Sequence, residues 1–159
     1  MHIFTDASGD PQTKKGIGCY LIINDLNENV KKDDIICLEF NDVTSTIAEL
    51  KTINHILNYV KLKCESLGEY SEINIYTDCE NFVNLIKKRQ YDDKIKSHKN
   101  YVWYKEIIDL ANELKINIIW VKGHSKQKNK HEIHQIIFAI VDKHCRKILR
   151  RNILRNSIE

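Results

Sequence analysis

Two short runs of this chain end on the same chemical unit. Ile3-Phe4-Thr5-Asp6-Ala7-Ser8 and Ile73-Asn74-Ile75-Tyr76-Thr77-Asp78 each carry β-type residues into a Thr-Asp step. One such step marks a strand end or a helix N-cap. Two of them in strand context imply carboxylates at the C-terminal ends of two strands, the edge at which open α/β sheets bind ligands. Carboxylates gathered there repel one another and call for a cation. Glu49 and Asp142 add acids from two further, distant segments. Either alone reads as an exposed helix acid, but four acids from separate segments suit a hard divalent ion. Mg²⁺ takes oxygen ligands and keeps waters that a substrate phosphate can replace. Two such ions about 4 Å apart activate a water and stabilise the leaving oxygen of a phosphodiester.

The elements that must position these acids follow from periodicity. Ile17–Ile23 and Ile35–Phe40 read as strands after the first, joined by a turn-rich connector at 9–16 and a turn at 24–29. From Ser45 to about Cys64, Ile47, Leu50, Ile53, Ile56, Leu57 and Val60 recur at helical steps, with Thr44 or Ser45 as N-cap and Glu49 in the early turns. A fourth strand at Ile73–Thr77 leads to a helix from Cys79 to about Lys88. After the polar stretch 90–100, a helix spans Tyr101–Leu114, with Val102, Ile107, Leu110, Ala111 and Leu114 available for burial. Ile116–Val121 is a fifth strand, and a last helix covers about Glu132–Arg155 with Ile133, Ile136, Ile137, Ile140, Val141 and Cys145 as its apolar face. The order βββαβααβα predicts an α/β fold with a mixed five-stranded sheet, strands 1 to 3 antiparallel and 4 and 5 reached by helical crossovers.

Composition narrows the class. A length of 159 residues suits a single domain over 1–159, and 42% hydrophobic with 30% charged residues describes an ordinary globular protein without a bilayer-spanning stretch. No secretory segment is expected before the first strand, which suggests a cytoplasmic location; a monomer is expected separately. The cysteines at 19, 37, 64, 79 and 145 show no metal-ligand spacing and are expected to be reduced and mostly core. The net charge of +3 is small but uneven, because Lys143, Arg146, Lys147, Arg150, Arg151 and Arg155 crowd the C-terminal helix. That crowding suggests a polyanionic partner or a solvated face.

Taken together, the motifs resemble type 1 ribonuclease H, retroviral-type domains included. They occur in family order as Phe4-Thr5-Asp6-Ala7-Ser8, Thr44-Ser45-Thr46-Ile47-Ala48-Glu49-Leu50, Tyr76-Thr77-Asp78, Trp120-Val121-Lys122-Gly123-His124-Ser125 and Val141-Asp142-Lys143. The resemblance implies a ribonuclease H-like fold, strands 4 and 5 parallel to strand 1, and helices on both sheet faces. It implies Asp6, Glu49, Asp78 and Asp142 as ligands of two Mg²⁺ ions, with Mn²⁺ a substitute, and His124 as a catalytic loop histidine. The implied activity is endonucleolytic hydrolysis of the RNA strand of an RNA–DNA hybrid, leaving 5′-phosphomonoesters. Thr44, Ser45, Thr46 and Asn100 are the implied substrate contacts.

The chain also departs from the pattern. Ser45 and Thr46 stand where bacterial members usually carry paired asparagines, and Asp42 stands where an arginine is common, which should weaken the grip on the DNA strand. The link between the second and third helices is short, leaving Lys87, Lys88, Arg89, Lys94, Lys96 and Lys99 as a reduced basic handle. Trp103 and Tyr104 beside it either stack on the sugar face of the substrate or fill the core, and for Trp103 the core is expected. Glu132, nearer the usual spacing from His124, competes with Asp142 for the fourth metal position. A silent nucleic-acid or protein-binding module of this fold is the alternative function. A resolvase- or transposase-type nuclease fits the Gly-His-Ser loop poorly.

Overall fold

Alternation along the first strand divides the molecule into two cores. β1 (His2–Asp10) sends Ile3 to one face of the sheet and Phe4 to the other, and neither side chain is exposed. The computed structural model, which describes residues 1–68, 72–123 and 132–156, builds the rest around this central strand.

β2 (Lys15–Ile23) pairs antiparallel with β1, and β3 (Ile36–Phe40) pairs antiparallel with β2. β4 (Asn74–Thr77) runs parallel to β1, and β5 (Asn117–Trp120) parallel to β4, giving the order β3-β2-β1-β4-β5. α1 (Ser45–Leu67), α2 (Glu80–Lys87) and α3 (Tyr101–Glu113) supply the Ile3 side with Leu50, Ile53, Leu57, Phe82 and Ile107. α4 (Ile133–Asn156) covers the Phe4 side with Ile137, Phe138, Val141, Cys145 and Leu149. The mixed sheet with helices on both faces agrees with the expected fold class.

Several local expectations are corrected. The connector expected at 9–16 narrows to a turn at 11–14, since Gly9 pairs with Gly16 and Asp10 with Lys15 as strand. Backbone pairing between two glycines leaves no side-chain pattern in the sequence. The polar stretch after α2 forms two 3₁₀ turns, Arg89–Tyr91 and Asp93–Ser97, pinned by the buried Ile95. Val102, Ile133 and Ile136 are exposed rather than buried, because the faces of α3 and α4 that meet the sheet are set by Tyr104-Ile107-Ala111 and Ile137-Val141-Cys145. Trp103 is 40% exposed and its neighbour Tyr104 takes the core position instead. Cys19 and Cys37, expected to be thiols, are joined as a disulfide with their Cα atoms 4.3 Å apart. They face each other across β2 and β3, at the close approach of a non-hydrogen-bonded antiparallel pair. Cys64, Cys79 and Cys145 are buried and free. No helix among the described residues is long and apolar enough to cross a membrane.

Candidate active site

The parallel register of β1 and β4 matches His2 with Asn74, Ile3 with Ile75 and Phe4 with Tyr76. Continued by two residues, the same register sets Asp6 against Asp78. β4 stops at Thr77, while β1 runs on to Asp10 held only by β2, so a crevice opens beside Asp6. Thr5, Asp6, Ala7, Glu49, Thr77, Asp78 and Cys79 line it. Asp6 therefore lies in mid-strand rather than at a strand end, and the edge it faces is made by the shortness of β4.

Glu49 arrives from α1. Thr44 caps that helix, its hydroxyl oxygen accepting from the Ile47 N–H at 3.3 Å. The first turns lie so close to the hairpin that a Cβ on Gly16 would stand 2.9 Å from Ala48 Cβ and 2.7 Å from Val43 Cγ2. A side chain at position 16 would lift α1 and carry Glu49 away. The carboxylate is held by Cys79, whose thiol donates to Glu49 Oε2 at 3.1 Å while its sulfur accepts from the Phe82 N–H at 3.4 Å as the cap of α2. One buried side chain thus ties the start of α2 to an acid on α1. Burial and the Glu49 charge drive that thiol far above its ordinary pKa, so it stays a donor.

Asp142 approaches from the opposite layer and is 8% exposed. Its helix is anchored one turn on by Cys145, whose thiol donates to the Ile17 carbonyl at 3.2 Å, and its carboxylate pairs with Arg146. Glu132 precedes α4 by one residue, is exposed, and pairs with His134 at 3.1 Å. Ten residues separate Glu132 from Asp142, about 15 Å along a helix, so the two cannot serve one position. The acids whose charges act on Asp6 are Asp78, Asp142 and Glu49.

Electrostatics records how closely they crowd. Burial first, then the charges of Asp78, Asp142 and Glu49, push Asp6 up to about 8. Burial also raises Glu49, with the Asp78 charge adding to it and the Cys79 hydrogen bond opposing. Among the described residues no three His, Cys, Asp or Glu already stand as a closed metal cage. The group is a concentration of negative oxygen ligands whose repulsion a cation would relieve, and this donor set fits Mg²⁺ or Mn²⁺ rather than a softer ion.

The remaining expected site residues fall in two places. Thr44, Ser45 and Thr46 form the exposed to half-buried start of α1, and Asn100 is the residue before α3, its side chain making no cap hydrogen bond. His124 lies outside the described residues. Gly123, just before it, packs on Asp78: a Cβ there would come within 2.0 Å of Asp78 Oδ2. Sequence reasoning missed the roles of Cys79 and Gly123. The only signals were adjacency to Asp78 for one, and a glycine between Lys122 and His124 for the other.

Comparisons with known proteins agree with this architecture. The family model described as RNase H matches residues 1–143. Among curated proteins no match is found. LC9-RNase H1, described as a type 1 RNase H with the type 2 active-site motif, superposes with a TM-score of 0.60 at 16% identity, over 78% of this chain and 63% of that one. The protease–reverse transcriptase of prototype foamy virus superposes with a TM-score of 0.63 at 17% identity, over 92% of this chain and 20% of that one. The chain thus spans less than two thirds of either protein, and at these identities the likeness is one of fold.

Proposed function

The chain belongs to the RNase H family, and on that premise we propose that it is a divalent-metal-dependent endonuclease hydrolysing the RNA strand of RNA–DNA hybrids. The observation that carries the reading is the convergence of Asp6, Glu49 and Asp78 on one crevice, with Asp142 acting on Asp6 from the opposite layer. Asp6, Glu49, Asp78 and Asp142 would hold the metal, two Mg²⁺ ions when substrate is present. Such ions would supply an activated water and charge stabilisation at the leaving 3′-oxygen, giving a 5′-phosphate product.

The chain's own groups do the rest. The crowding of Asp6 by three acids is what a bound cation would relieve. Cys79 fixes one Glu49 oxygen, and Gly123 leaves room for the Asp78 carboxylate. The Ser45 and Thr46 hydroxyls at the start of α1 are able to bond a ribose 2′-OH, the group that distinguishes the RNA strand. Thr44 and Asn100 offer donors to a backbone phosphate of the other strand. His124 is assigned proton transfer or product release, by family resemblance alone.

The test is incubation with matched RNA–DNA, RNA–RNA and DNA–DNA duplexes in Mg²⁺ or Mn²⁺. Cleavage confined to the RNA of the hybrid is the expected result. Binding of the hybrid without cleavage would replace this reading with a silent binding module.

A further inference from the structure

α1 and α3 run parallel, because their contacts advance together: Lys51 with Trp103, Asn58 with Glu106, and Lys61 with Glu113. Thr44, Lys51 and Asn58 are spaced by seven residues and share one stripe of α1, the stripe that faces α3. Across from it lie Asn100, Trp103 and Glu106. The starts of both helices are therefore neighbours, and Lys51 and Trp103 form the next level of the same groove.

At that level the chemistry is unusual for a helix–helix seam. The Lys51 ammonium lies 5.8 Å from the ring centroid of Phe40, the last residue of β3, and 5.9 Å from that of Trp103. Trp103 is 40% exposed, although the residue beside it is core. Among the described residues Lys51 enters no ion pair, whereas Lys61, farther along the helix, is paired with Glu113 and Glu65. Two aromatic faces restrict a side chain that would otherwise lose much rotamer freedom on binding. They leave its charge without a counter-ion. Phe40 pairs with Gly16 next to the Gly9–Gly16 pair, so the cluster stands at the sheet end where β1 passes Asp6, two strands toward the β3 edge.

We infer that Lys51, held between Phe40 and Trp103, is a backbone-phosphate contact for the duplex, with the exposed Trp103 ring packing against the adjoining sugar. This rests on the proposed hybrid substrate and extends its footprint along the α1–α3 groove beyond Thr44 and Asn100. Phosphate contacts carry no base information, so the contribution is the same for hybrids of any sequence.

The experiment measures affinity for a fluorescein-labelled RNA–DNA hybrid in Ca²⁺ across a range of salt, for the wild type, Lys51→Met and Trp103→Ala. Both altered residues are surface-accessible, and circular dichroism checks their folding. Removing one phosphate partner should weaken binding by about tenfold near 0.1 M salt and make the log–log salt slope shallower by about 0.9 for Lys51→Met. In Mg²⁺ the loss should fall on KM rather than kcat. A Trp120→Phe background leaves Trp103 as the only tryptophan, and its emission should change saturably with hybrid. Unchanged affinity and slope in Lys51→Met, with wild-type binding intact, overturn the inference and leave the functional reading standing. Failure of the wild type to bind the hybrid overturns both.

Discussion

Asparagine matches aspartate in volume but brings one neutral oxygen where a hard cation needs charge. Asp6→Asn and Asp78→Asn are expected to abolish hydrolysis with the far-ultraviolet circular dichroism unchanged, and calorimetric Mg²⁺ binding should fall in parallel. Near-normal cleavage by either purified variant would remove the metal assignment. Gly123 makes a subtler case, because it acts only through the space it leaves. Alanine there would force Asp78 Oδ2 away from a position only 2.0 Å from the new Cβ. Restoring ordinary contact moves that oxygen by about 1 Å, and a misplacement of about 1 Å costs about 100-fold in turnover. Gly123→Ala should therefore lower kcat strongly while the chain still binds hybrid in Ca²⁺, and full activity would show that the carboxylate moves aside freely.

Among the elements, α4 does two jobs with opposite charges. Its buried face delivers Asp142 toward Asp6, while Lys143, Lys147, Arg150 and Arg151 are exposed along its outer side. Neutralising Lys147, Arg150 and Arg151 together leaves Asp142 and its Arg146 partner untouched. If this face meets the substrate backbone, the salt dependence of hybrid affinity should become shallower by about one log–log unit for each phosphate no longer neutralised, with sequence preference unaltered. An unaltered slope would identify the outer side of α4 as a solvated surface. The same logic separates α4 from the 3₁₀ segment after α2, where Lys96 is paired with Asp93 and Arg89 lies over the Tyr104 ring at 4.9 Å.

For the whole molecule, the crowded carboxylates link stability to pH. Asp6 keeps its proton up to about 8 in the folded chain, while an unfolded aspartate loses it near its ordinary value of 3.8. Between those values the folded state binds more protons, so stability falls as pH rises through the window. Glu49, also raised, acts in the same direction. The metal-free protein is expected to melt at a lower temperature at pH 8 than at pH 5 by scanning calorimetry. Asp6→Asn should flatten that dependence, and Mg²⁺ should raise the melting temperature more at pH 8 than at pH 5. A melting temperature that climbs steadily from pH 5 to 8 without metal would contradict the electrostatic picture of the site.

Local pattern alone was enough for the element order, the mixed sheet and the four acids worth watching, while helices on both sheet faces were implied by the family resemblance. Strand and helix periods are written into neighbouring side chains, and Thr-Asp steps and helix acids are recognisable as oxygen ligands by residue type. What lay between distant segments was decided only by the tertiary structure. Cys19 and Cys37 pair because the β2–β3 register sets them face to face, and nothing in their spacing of 18 residues reveals that register. Trp103 is exposed and Tyr104 buried because the rotation of α3 on the sheet is fixed by long-range packing, to which two adjacent aromatics give no clue. Glu132 and Asp142 compete on paper and separate in space, since ten residues of sequence become about 15 Å once they are wound into a helix.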